Sequence, residues 1–385
     1  MAHLFRFSYT IVLNLGIDPS IGNRKQQWIT IKGTKKDAEK KLAELLHQLD
    51  NGTFIKPGKT TVADYLNKWL KNYCLANLSP RTIEGYENIV RRHLIPTLGQ
   101  IHLTQLKPEH IQAMYSQKLV AGFSHRTVRY IHTTLRKSLH DAVKLGMLLR
   151  NPADAVDPPK VQRREMRAMS EYDIHIFLEY AKLTPYYSLF YVALFTGMRR
   201  SELLALRWCD IDLILCQLSV TRALHQLQDG SQVIRQPKTA KGRRLISLSP
   251  STVTVLEKHR KRQEQLKQNI GSTLKEDDLV FCHEDGTPLL PNTVSHAWTK
   301  LANRVGLKGI RLHDARHTHA SLMLKQGIHP KIVQERLGHA SIQITLDTYS
   351  HVAPGLQQAA ANRFDDIVIP KEKYDLEKAS EEIVG

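Results

Sequence analysis

Apolar and polar positions divide the chain into three stretches with different periods. Tyr9-Thr10-Ile11-Val12-Leu13 and Gln27-Trp28-Ile29-Thr30-Ile31 are β-rich runs, which predicts two strands. Between them lies the turn-forming run Asp18-Pro19-Ser20-Ile21-Gly22-Asn23. Thr34 with Asp37 three residues on marks a capped helix start. Ala38, Leu42, Leu45, Leu46 and Leu49 form its apolar stripe, and Gly52 ends it.

The second stretch, about 60–155, has helical periodicity only. Val62, Tyr65, Leu66, Trp69 and Leu70 make one face. Ser79-Pro80 and Lys107-Pro108 each open a helix, because proline fits the first turn. Ser124 opens another, with Val128, Ile131, Leu135, Leu139 and Ala142 as its apolar stripe. Its polar side carries Arg126, Arg129, Arg136 and Lys137. Such a face is commonly just solvated, but this spacing also suits a phosphate backbone. Asn151-Pro152 and Asp157-Pro158-Pro159 then break the pattern, and the basic stretch to about Ala168 reads as a linker.

The third stretch, about 169–370, mixes periods. Ser170 with Asp173 caps a helix, and Pro185 to Phe195 is apolar enough for a buried one. Leu213 to Val220, Gln232 to Arg235 and Arg244 to Leu248 read as strands, the last two flanking the basic turn 236–243. Pro330 opens a helix that Gly338 closes. The charged tail begins at Lys371.

Composition narrows the function. A chain of 385 residues with 42% apolar content predicts two or three domains. The longest apolar runs fall short of a membrane span, and the partly apolar start from Leu4 to Ile17 reads as a strand. Net charge is +18, which points to a nucleic-acid partner. Cys74, Cys209, Cys216 and Cys282 form no CxxC pair. That argues against a zinc module or a disulfide framework and suits a reducing cytoplasm.

The chemistry gathers late in the chain. His313-Asp314-Ala315-Arg316 puts an imidazole and a guanidinium on one helix face. Leu337-Gly338-His339 and then Tyr349 follow. Upstream, Thr196-Gly197-Met198-Arg199 aims an arginine from a glycine turn, with Glu202 one helical turn on. A metal site is the rival reading, since His313 and His317 are four apart. Arg316 beside them repels a cation, and neither an HExxH glutamate nor a cysteine completes the shell. The set suits a phosphodiester attacked by a phenol oxygen.

The segments LFTGMRRSELLALRWCDID, QPKTAKGRRLISL and LHDARHTHASLMLKQGIHPKIVQERLGHASIQITLDTYSHV resemble a phage- or transposon-type integrase of the tyrosine recombinase family. DPSIGNRKQQWITIKGTKKDAEKKLAELL resembles the arm-site DNA-binding domain of such integrases. The resemblance spans residues 5–365. It implies a multidomain, mainly α fold with a small three-stranded sheet plus helix (1–58) and an all-helical, SAM-like core-binding domain (59–155). A linker (156–168), a mixed α+β catalytic domain (169–370) and a tail (371–385) complete it.

The resemblance also implies roles. Arg199 and Arg316 are the catalytic arginines, His313 and His339 the histidines, Lys238 the strand-turn lysine and Tyr349 the nucleophile, with Glu202 in support. Lys241 shares the turn with Lys238, so the choice between the two lysines stays open. Arg24, Lys25, Lys32, Arg126, Arg129, Arg136, Lys137, Lys241 and Arg243 are expected to contact DNA. The implied enzyme cleaves and rejoins DNA through a 3′-phosphotyrosyl link, without cofactor, metal or ATP. Its implied partners are double-stranded DNA at core and arm attachment sites, three further copies of itself in a tetramer, an excisionase or other directionality factor, and a DNA-bending host protein. No membrane is involved, and a bacterial cytoplasmic, nucleoid-associated location is expected. A regulator with a degenerate site and a metal-dependent nuclease are the alternatives.

Overall fold

In a computed structural model, residues 8–17, 24–51, 58–161, 167–236, 242–349 and six positions between 361 and 368 are described. The chain forms two compact units that divide between Arg163 and Arg164, inside the stretch expected to be a linker.

In the first unit, strands Ser8–Ile17 and Arg24–Lys32 pair antiparallel, with Ile11 opposite Ile29 and Tyr9 opposite Ile31. Alternation puts Ile11 and Leu13 on the covered face, against Leu45 of the Lys35–Asp50 helix. Thr34 and Asp37 cap that helix reciprocally, as the sequence predicts. Leu46 departs from its expected stripe and is exposed. Ala38, Leu42, Leu45 and Leu49 already fill the buried side, and Leu46 lies about 100° round the helix from Leu45. Two strands pair among the described residues, one fewer than the three expected. On the open face of the sheet Val12 lies opposite Trp28, both exposed.

The helices from Val62 to Lys144 pack around a second core. Val128, Ile131, Leu135, Leu139 and Ala142 are all sealed from solvent on the His125–Lys144 helix. Asp141 is buried among them and is bound by Trp69 Nε1 at 2.9 Å and by Lys137 Nζ at 2.6 Å. The Lys137 ammonium also lies over the Tyr73 ring. Lys137 therefore neutralises a buried carboxylate inside this unit. Arg126 and Arg129 are exposed, and Arg136 pairs with Asp154 at the surface.

The second unit is built on an aromatic core, in which Trp298 packs on Phe177 and Phe190. Helices Glu171–Ala181, Tyr187–Thr196, Pro250–Asn269, Pro291–Arg304, Leu312–Lys325, Pro330–Leu337 and Ile342–Tyr349 surround two small sheets. One sheet orders Ile211–Asp212, Gln217–Val220 and Arg244–Ser247 antiparallel. The other is the hairpin Ala223–Gln226 with Gln232–Arg235. The expected strand from Leu213 to Val220 is broken at its start. The Asp212 carboxylate accepts from Ile214 N and Leu215 N, which pulls the backbone into a turn. Among the described residues, no helix is long and apolar enough to cross a membrane.

Candidate active site

The buried Tyr187–Thr196 helix ends at Gly197, whose φ is +64°. A left-handed glycine lets the chain reverse without a Cβ penalty. Arg199 follows as the first residue outside the short Arg200–Leu203 helix. Its backbone N donates to Glu202 Oε2 at 2.9 Å, and its Nη1 donates to Oε1 at 2.8 Å. Nη2 donates to Gly338 O at 3.1 Å. The Arg199 side chain stays 38% exposed while Glu202 is 4% exposed, so the guanidinium is oriented from behind yet open to a ligand.

Arg244, which sequence reasoning did not single out, holds Glu202 from the other side. Its Nη2 lies 2.8 Å from Oε2, its Nη1 lies 3.2 Å from Oε1, and its Nε donates to Arg336 O at 2.7 Å. Burial opposes the Glu202 charge, but the bonds and charge of Arg244, with the charge of Arg199, outweigh it. The carboxyl stays below its usual range. The available signal was a charged residue opening the short strand Arg244-Leu245-Ile246-Ser247.

The Leu312–Lys325 helix begins at a cap between Arg311 and Asp314. One turn in, the buried Arg316 sends Nη1 to Gly197 O at 2.8 Å. Arg199 thus reaches the Gly338 turn while Arg316 reaches the Gly197 turn, and the two guanidiniums are fixed at one corner. His313 is exposed and meets His317 edge-on, with ring centroids 4.9 Å apart. Among the described residues, no three His, Cys, Asp or Glu side chains converge as a metal site.

His339 follows Gly338, whose φ of +68° ends the Pro330–Leu337 helix. Gln334 binds its backbone at both N and O. Its Nδ1 lies 2.9 Å from the buried Thr345 Oγ1, on the helix that ends at Tyr349. Burial first, then the charges of Arg316 and Arg199, push the His339 pKa down to about 4. Burial, with His313 next, does the same to His317. Desolvation of the packed part of its ring, although the side chain reaches solvent, and the Arg316 charge also lower His313. All three rings are therefore neutral near pH 7, in a corner whose positive charge comes from arginine.

The sequence-predicted residues Arg199, Glu202, His313, Arg316 and His339 are brought together, and the backbone of Tyr349 ends the helix tied to His339. Lys238, Lys241 and the side chains of Tyr349, Arg24 and Lys25 lie outside the described residues. Lys32 and Arg243 are exposed, and Arg243 binds Gln236.

Comparison with known proteins places the chain in a family. Residues 167–355 match the family described as "Phage integrase family", and residues 61–120 match "Phage integrase, N-terminal SAM-like domain". A "Tyrosine recombinase XerC-like" protein of Caldanaerobacter subterraneus subsp. tengcongensis is 30% identical over 87% of this chain and 90% of its own length. The chain belongs to the phage integrase family of tyrosine recombinases. It is a site-specific DNA recombinase.

Other relatives extend the comparison. The ICEBs1 integrase of Bacillus subtilis is 28% identical to this recombinase over 94% of this chain and 97% of that protein. In fold, the Tn1549 transposon integrase in complex with a circular intermediate DNA superposes with a TM-score of 0.68 at 21% identity. That likeness covers 80% of this chain and 100% of the other. A lambda integrase tetramer bound to a Holliday junction superposes with a TM-score of 0.56 at 19% identity. It covers 90% of this chain and 95% of that one.

Proposed function

We propose that this recombinase is a mobile-element integrase in which Tyr349 attacks the scissile phosphate and Arg199 and Arg316 clamp the non-bridging oxygens. The carrying observation is the reciprocal anchoring of the two arginines, Arg316 on Gly197 O and Arg199 on Gly338 O. As phosphorus becomes five-coordinate, negative charge grows on those oxygens. Forked donors held in place need no reorganisation to meet it.

The step balances without any further reactant. The Tyr349 phenol oxygen bonds to phosphorus, and its proton passes to neutral His313. The bond from phosphorus to the 5′ oxygen breaks, and Lys238 gives that oxygen a proton. His339, held by Thr345, donates to a phosphate oxygen. Attack of a new 5′ hydroxyl on the phosphotyrosine reverses the sequence and joins the strands. The ester energy is kept throughout.

Residues 1–58 act as the arm-site domain, with Arg24, Lys25 and Lys32 on or ending its second strand. Residues 59–155 grip core DNA through Arg126, Arg129 and Arg136, and residues 169–370 hold the site, with Lys241 and Arg243 on the basic turn near the duplex. A net charge of +18 supports this partner. Four copies act together on two duplexes, with an excisionase and a DNA-bending protein setting direction.

A nicked suicide substrate tests the assignment. The expected result is a covalent protein–DNA adduct that forms in EDTA and is lost in Tyr349→Phe while DNA binding persists. Free DNA ends without an adduct, or an adduct that survives Tyr349→Phe, overturn it.

A further inference from the structure

The last carbonyls of the Tyr187–Thr196 helix have no partner within the helix. Two side chains from distant elements supply bonds to them. His319 Nδ1 lies 2.9 Å from Leu194 O, and Arg336 Nη2 lies 3.0 Å from Phe195 O. The same two side chains meet, with Arg336 Nε 3.0 Å from His319 Nε2. Arg336 Nη1 donates to Ser247 O at 2.9 Å, and its own carbonyl accepts from Arg244. One guanidinium therefore links three elements: the helix end before Gly197 and Arg199, the turn before Gly338 and His339, and the strand that begins with Arg244.

The bonding pattern sets the protonation of His319. An arginine N–H has no lone pair to offer, so Nε2 must accept. A carbonyl oxygen has no proton, so Nδ1 must donate. The ring is thus neutral with its proton on Nδ1. Burial, followed by the Arg336 charge, pushes its pKa down to about 4, which keeps it so. Slack is absent on the other side as well. A Cβ added to Gly197 would lie 2.9 Å from His319 Cδ2 and 2.6 Å from Leu337 Cδ2.

We propose that His319 and Arg336 form a positioning pair, which holds Arg199 and His339 at the separation that the reacting phosphate requires. Neither residue touches DNA in this account. The pair acts by fixing the two turns that carry the residues which do, so it rests on the roles assigned above to Arg199 and His339.

The test uses the full chain with single-turnover cleavage of a saturating nicked substrate, DNA binding, and nitrogen NMR of labelled histidine. His319→Leu and Arg336→Met are each expected to slow cleavage on the order of tenfold or more, with DNA affinity nearly unchanged. The double variant is expected to be no slower than the worse single one, because both remove one coupled unit. The unaltered protein should show His319 as the neutral Nδ1–H tautomer. Multiplying effects in the double variant, or an Nε2–H or cationic His319 at pH 7, overturn the pair even if the variants fold poorly. If the Tyr349→Phe control still forms an adduct, the functional reading fails instead of the pair.

Discussion

Glu202 and Arg244 are 42 residues apart and meet as a buried pair, with 2.8 Å between Oε2 and Nη2 and side chains 4% and 6% exposed. Because Arg199 shares the same carboxylate, the pair aims a residue that is itself open to solvent. Removing Glu202 leaves the Arg244 charge uncompensated in the interior, whereas removing Arg244 leaves Glu202 still paired with Arg199. Glu202→Gln is expected to destabilise the fold by about 3–5 kcal/mol and Arg244→Met by less, read by chemical denaturation. Cleavage by Glu202→Gln should fall further than its loss of folded protein explains. Wild-type-like stability in both variants would remove the pair from this role.

Gly197 tolerates no side chain. Its φ of +64° costs an alanine about 1–2 kcal/mol. The contacts with Leu337 and His319 add about 1–3 kcal/mol of overpacking. Gly197→Ala is expected to lose both stability and cleavage, measured by thermal melting and adduct yield. Unchanged cleavage in a destabilised but folded variant would show that the turn does not aim Arg199.

The two lysines of the basic turn can be separated by changing the leaving group. A bridging 5′ sulfur leaves as a thiolate without protonation, because thiols ionise near pH 8.5. Lys238→Ala is expected to cleave the ordinary substrate slowly and the 5′-thio substrate at the wild-type rate. Lys241→Ala should show no such rescue. The reverse pattern assigns the proton to Lys241.

Stability is expected to rise with pH between about 4 and 6.5. His317, His319 and His339 have folded pKa values of about 4 against 6.5 when unfolded. In that window the unfolded chain binds more protons, so acid favours unfolding. The contribution is complete above pH 6.5 and is lost as pH falls toward 4. The melting temperature should drop by several degrees from pH 7 to pH 5. Replacing His339 with Gln should reduce that drop, and a flat profile would place these rings in solvent.

Much of this protein was legible in one dimension because periodicity reports burial directly. Val128, Ile131, Leu135, Leu139 and Ala142 could share only one helical face, and that face is sealed. Thr34, Ser124 and Ser170 mark helix starts because their oxygens satisfy backbone donors locally. Arg199, His313, Arg316 and His339 were visible as types suited to a phosphate, in segments with a recognisable order. Leu46 and the strand start at Leu213 went the other way. A stripe can name more apolar residues than one face can bury, and Asp212 bends a run whose composition alone favours a strand.

Tertiary structure decided what the segments do to one another. Nothing in the spacing says that Arg316 bonds Gly197 O, that Arg199 bonds Gly338 O, or that Arg244 and Arg336 carry the load between them. Nor does it say that Lys137 turns inward to Asp141 while Arg126 and Arg129 face out. Apart from the local Lys137–Asp141 pair, those bonds join residues from 42 to 141 positions apart. Local sequence sets each residue's type and its face on a helix. Only packing brings distant carbonyls and carboxylates within reach, and with them the geometry and charge state of the site.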